Sequence, residues 1–159
     1  MKRDIVIRWV KKAESDLRSA NVLLKADEVI TESVCFHCQQ AIEKYLKAFL
    51  TEKNVRFGKI HDLLTLLEMC IREDKEFEKL DKDRISELTF YAVDVRYPDE
   101  FYTPSLEEAK EAFEIAKQVK DFIFKKLNIT ERDILWKIFK ERGNKGFCLK
   151  ILSLEDEGA

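Results

Sequence analysis

From Arg3 to about Ala26, the residues Trp9, Ala13, Leu17, Ala20 and Leu24 recur at spacings of three and four, which draws one apolar stripe down a helix. The stripe resumes in each later segment, and only four glycines and two prolines interrupt 159 residues. Strand-rich domains of this size need more turn residues, so the chain is expected to fold as helices. The 38% of charged residues then cover solvated helix faces laced with ion pairs.

A second helix is expected from Thr31, as its N-cap, to about Lys53, with Val34, Cys38, Ala41, Tyr45 and Phe49 inward. Gly58 breaks the pattern, and "IHDLLTLLEMCIRED" resumes it with Leu63, Leu66, Leu67 and Cys70 buried. After the charged connection "KEFEKLDKD", a fourth helix covers about Arg84 to Arg96, burying Ile85, Leu88, Ala92 and Val95. Tyr97-Pro98 ends it, because proline disfavours helix at the residue before it. Ser105 and Glu108 form a capping box that opens a fifth helix, acidic in its first half and basic in its second, ending near Leu127. Thr130 caps a sixth, shorter helix whose Trp136 packs on the bundle or on a second subunit. The expected architecture is all-α: an up-and-down bundle of four long helices plus a short one over residues 1–127. Residues 128–159 form a C-terminal helical extension that packs on the bundle or a partner.

Length allows about one domain. Lys and Arg number 29 against 31 Asp and Glu, so the net charge of -2 gives no whole-molecule attraction to nucleic acid or anionic lipid, and any RNA contact must be local. No apolar run reaches signal-peptide or membrane-spanning length, which points to a cytoplasmic protein. Its four cysteines are therefore expected as free thiols.

"CFHCQQAIEKYLKAFL", Cys35 to Leu50, offers two chemistries. Structural zinc needs four ligands, and no second CxxC pair exists; a redox pair needs exposure, whereas Cys38 falls on the apolar stripe. The cysteines are read as packing, and no metal or cofactor is expected. His37 lies off the stripe in line with Gln40, Lys44 and Lys47, flanked by Gln39 and Glu43. Polar groups on a largely buried helix are costly unless a neighbouring helix, a partner or a ligand satisfies them.

That run, preceded by "W..KAESDLRSANVLL" and followed by "HDLLTLL" and "RYP", resembles the HEPN (higher eukaryotes and prokaryotes nucleotide-binding) domain family over about Arg3 to Leu127. The resemblance implies a helical bundle, usually a homodimer, working beside a minimal nucleotidyltransferase and often part of a toxin–antitoxin pair. Many relatives cleave RNA without metal, using an arginine followed at four to six residues by a histidine. The histidine acts as general acid/base and the arginine stabilises the phosphorane charge.

At that place this chain reads "RYPDEFYTP", with Arg96 present and Phe, Tyr and Thr at 101 to 103 where the histidine belongs. The resemblance therefore implies binding of a nucleotide or RNA rather than cleavage. Arg96, Tyr97 and Tyr102 are placed at a cleft mouth with Lys44 and Lys47 nearby, to hold a phosphate and stack a base. "RFGKIH" satisfies the same spacing through Arg56 and His61, but its place is the loop between helices two and three, and it is read as coincidence. His61 and Asp62 are expected instead to cap the third helix or to contact a ligand. Two alternatives stay open: a metal-independent ribonuclease toxin in which His37 or His61 serves Arg96, and a purely structural dimerisation or assembly protein.

Overall fold

The computed structural model describes residues 1–93 and 102–135. Among them there is no strand, and the elements are α1 (Lys2–Leu24), α2 (Thr31–Glu52), α3 (Leu63–Glu73), a 3-10 turn (Lys75–Lys79), α4 (Lys82–Glu87), α5 (Phe90–Val93) and α6 (Leu106–Leu127). The all-α bundle expected from the periodicity is thus what forms. Contacts divide the chain into two units, Met1–Leu127 and Asn128–Ala159.

The central element is α2, because thirteen of its 22 residues are buried, around almost its full circumference. Side-chain pairs fix how its neighbours lie: Lys2 reaches the Glu52 carbonyl at 2.9 Å, while Asp16 meets His37 at 2.9 Å. Residue numbers that fall on α1 as they rise on α2 make the two helices antiparallel, as a six-residue link between them requires. By the same reasoning α6 runs antiparallel to α1, since Arg3 bonds the Leu127 carbonyl at 3.0 Å and Lys120 meets Glu14 at 3.1 Å. Tyr45 of α2 and Phe124 of α6 join edge to face at 6.3 Å between centroids.

All the expected inward residues of α2 and α3 are buried. Trp9, expected in the core, is only partly buried: it lies edge-on to Phe57 at 6.0 Å, at the rim of the bundle. Thr31 does not cap α2. Ile30 occupies the cap position, and the Thr31 hydroxyl turns instead to the Glu32 carboxylate at 3.4 Å.

The fourth helix differs most from the sequence reading. It begins at Lys82, where Asp81 caps it by accepting from the Arg84 amide at 3.1 Å, and stops at Glu87. Thr89 then accepts from the Leu63 amide at 3.0 Å, a tertiary bond that competes with continued helix, and α5 follows. Ile85 and Leu88 are buried as expected; the side chain of Ala92 and residue Val95 lie outside the described residues. The charged connection after α3 is also more than a linker, for its Phe77 is fully buried.

Both later caps form as read. The Ser105 amide donates to Glu108 at 2.7 Å and the Glu108 amide to Ser105 Oγ at 3.1 Å. Thr130 and Asp133 repeat the exchange at 2.8 and 3.3 Å before a short helix at residues 131–135. Trp136 lies outside the described residues.

Candidate functional site: a polar seam on the central helix

Three polar residues are buried among the described ones, and all stand on α2: Gln39 at 0%, Glu43 at 4% and Lys47 at 4% exposure. Spaced by four, they form one row along the helix, and a row of this kind inside a core is costly unless each group is bonded. Each is. Lys47 donates to Glu43 Oε1 at 2.7 Å, His61 Nδ1 lies 3.0 Å from the same oxygen, and Gln39 donates to Glu43 Oε2 at 3.3 Å. Gln39 also donates to the His61 carbonyl at 3.4 Å, so the loop before α3 is tied to α2 through both the ring and the backbone of one residue.

The Lys47 ammonium also has aromatic walls. It lies 5.6 Å from the ring centroids of both Trp9 and Phe57, inside the range of cation–π attraction. Glu43 is thus a buried carboxylate shared by a buried ammonium and by an imidazole whose side chain remains 69% exposed. With Nδ1 held by the carboxylate, Nε2 is the nitrogen that His61 leaves for other partners.

A second cluster continues the row toward the start of α2. His37 Nδ1 lies 2.9 Å from Asp16 Oδ1, Lys44 pairs with Asp16 Oδ2, and Lys44 also donates to Gln40 Oε1 at 3.3 Å. Gln40 then donates to Gln39 Oε1 at 2.8 Å, which joins the two clusters into one seam from His37 to His61. Beside it, Tyr45 donates to Glu14, whose other oxygen accepts from Lys120.

The structure therefore brings His37, Gln40, Glu43, Lys44, Lys47 and His61 into one bonded array. Lys44 and Lys47 are engaged by carboxylates of this chain, and Asp62 is spent as the α3 N-cap, accepting from the Thr65 amide at 2.8 Å. Tyr102 is exposed and belongs to a different set of bonds. Its hydroxyl donates to Glu108, which holds the Glu108 carboxyl below its usual range, and its ring meets Phe90 at 6.1 Å. Arg96 and Tyr97 lie outside the described residues.

Sequence reasoning missed Asp16 and Glu14. A signal was present: Ala13, Asp16, Leu17 and Ala20 follow the i, i+3, i+4, i+7 pattern, so Asp16 stands at a stripe position, and Glu14 stands beside it. An acid on an apolar stripe implies a cationic or hydrogen-bonding partner on the facing helix.

The cysteines among the described residues are packing groups; Cys148 lies outside them. Cys35, Cys38 and Cys70 are free thiols with no exposed surface, and Cys70 points its sulfur at the Leu46 carbonyl at 3.8 Å. Burial, with lesser effects of Glu108 and Glu32, pushes the Cys35 thiol up to about 12, and burial likewise raises Cys38 and Cys70. Since the thiolate is the nucleophile, iodoacetamide at about pH 8 is expected to leave these three unmodified in the native protein and to label them in guanidinium, as peptide mass mapping reads out. Prompt native labelling at any of the three would contradict their burial. The same shift sets a stability trend. The native pKa lies above the unfolded value of about 8.5, so this contribution is whole below pH 8.5 and is lost as pH climbs through 9 to 12.

A bundle whose central helix carries a bonded polar seam and ends it in an exposed, carboxylate-held histidine is a helical module built around polar chemistry. A profile of the HEPN domain matches residues 6–127, and the chain belongs to that family. Searches of curated proteins and of solved structures returned no significant match. No helix among the described residues is long and apolar enough to cross a membrane.

Proposed function

We propose that this chain is a HEPN-type module that binds a nucleotide or RNA, as a homodimer and beside a minimal nucleotidyltransferase of a toxin–antitoxin pair. The observation that carries the binding function is the Glu43–His61 pair. A buried carboxylate orients an exposed imidazole, and such an arrangement presents a directed hydrogen-bonding nitrogen at the surface. Arg96, which the family resemblance marks for phosphate, supplies the second contact.

A ribonuclease reading is favoured by one further feature. His37 and His61 both have Nδ1 on a carboxylate, the orientation that leaves Nε2 able to take a proton from a ribose 2′-hydroxyl. The deciding experiment pairs anisotropy titrations of a labelled RNA and a labelled nucleotide with a cleavage assay on total RNA in EDTA, wild type beside Arg96→Ala, after circular dichroism shows that both fold. Binding that Arg96→Ala abolishes, with no cleavage by either protein, is the expected result. Cleavage that disappears in the variant would put the ribonuclease first. Neither binding nor cleavage would overturn both and leave an assembly protein.

A further inference from the structure

The link between α2 and α3 has an unusual charge. From Lys53 to His61 it reads "KNVRFGKIH", four basic residues and no acidic one, in a chain whose net charge is -2. Of the acids that bracket it, Asp62 caps α3, and Glu52 lies beside Lys2, its Oε1 4.0 Å from Nζ and its Oε2 buried without a hydrogen bond among the described residues. Arg56 and Lys59 are exposed, and among the described residues no ion pair engages either. Lys53 is exposed as well, its ammonium 5.5 Å from the Phe49 ring centroid and near enough to Asp74 to add slightly to the lowering of that carboxyl.

The loop is held in place rather than merely tethered. Asn54 and Gly58 take positive φ of 59° and 54°, folding the chain back twice. The Asn54 and Val55 amides bond the Thr51 and Leu50 carbonyls at 3.1 and 2.9 Å, Phe57 packs on Trp9, and Gln39 anchors the His61 carbonyl. A short segment that is fixed by its backbone bonds and by Phe57, and whose exposed side chains include Lys53, Arg56 and Lys59, gives up little conformational freedom on binding an anion. Beside the cations stands His61, its ring oriented by Glu43.

We infer that this loop is a phosphate-binding surface, in which Lys53, Arg56 and Lys59 contact the phosphate groups of the ligand and His61 supplies a directed hydrogen bond. The inference rests on the nucleotide- or RNA-binding function proposed above and names a contact surface separate from Arg96. Phosphate recognition by several nearby cations is strongly salt-dependent, because each neutralised phosphate releases counterions.

The test is a titration of a fluorescein-labelled single-stranded oligo(U) RNA in EDTA, at several KCl concentrations. It compares wild type, Arg56→Glu/Lys59→Glu and the neutral Arg56→Gln/Lys59→Gln, with thermal melts to show that all three fold. The charge-reversed protein is expected to lose about tenfold or more in affinity. The neutral one should lose less, and its log–log salt slope should be shallower than wild type by about 1.4, from about 0.7 per single-strand phosphate contact. If wild type binds and both variants bind equally well with the same slope, the loop inference fails while the binding function stands. If wild type binds no RNA and no nucleotide, both fail. ADP as competitor separates the sources: displacement of the strand assigns the loop to a nucleotide's phosphates, and resistance to displacement assigns it to the RNA backbone.

Discussion

Replacing Glu43 with alanine is expected to lower folding stability by about 3–5 kcal/mol, the range for removing one member of a buried ion pair. The reason is local. The Lys47 ammonium, 5% exposed and enclosed by Trp9 and Phe57, would lose its anion, and Gln39 and His61 would each lose a bond to the same carboxylate. Lys47→Ala should cost a similar amount for the mirror reason. The double variant Glu43→Leu/Lys47→Met should recover most of the loss, since exchanging a whole buried pair for apolar groups of like volume is often neutral. Urea denaturation of the four proteins reads these changes directly. Single variants that each cost under about 1 kcal/mol would mean that water reaches the pair and that the seam is a surface feature. If the double variant recovers stability yet loses ligand, the pair is there for function rather than for folding.

Phe77→Ala should be equally damaging, at about 3–5 kcal/mol, because the ring is fully buried and its removal takes apolar atoms out of the core and leaves a cavity. Its centroid lies 4.4 Å from Phe49 and 4.8 Å from Phe122, which makes it the bridge between α2 and α6 from a segment that is itself only a 3-10 turn. Lys126 of α6 pins the same segment from outside, bonding Asp74 at 2.6 Å and also pairing with Glu76; those bonds hold both carboxyls below their ordinary range. Phe77→Leu, which keeps part of the volume, should cost clearly less than alanine. Equal losses for leucine and alanine would indicate that the ring stack, not the filled volume, is what stabilises the turn.

Much of this molecule is legible in one dimension. The spacing of Ala13, Leu17 and Ala20, of Val34 to Phe49 and of Leu63 to Cys70 identifies the buried faces, because side chains three and four apart share a helix face whatever they later touch. The Ser105–Glu108 and Thr130–Asp133 boxes are equally local, each closed within three residues. So is the row of Gln39, Glu43 and Lys47, whose period of four makes it one ridge on α2.

What only the tertiary structure decided is which groups satisfy that ridge. Asp16 and His61 come from 28 residues before Lys44 and 18 after Glu43, and no periodicity within α2 predicts them. The break between α4 and α5 belongs with them, since Thr89 bonds an amide 26 residues away. So does the burial of Phe77, which sits among charges that read as a solvated connection. The physical reason is common to all three. Helix formation and capping depend on neighbours within one turn, which the sequence states directly. The partner of a buried charge, or the lid over an aromatic ring, depends on how whole helices lie against one another, and that follows from the packing of the entire bundle.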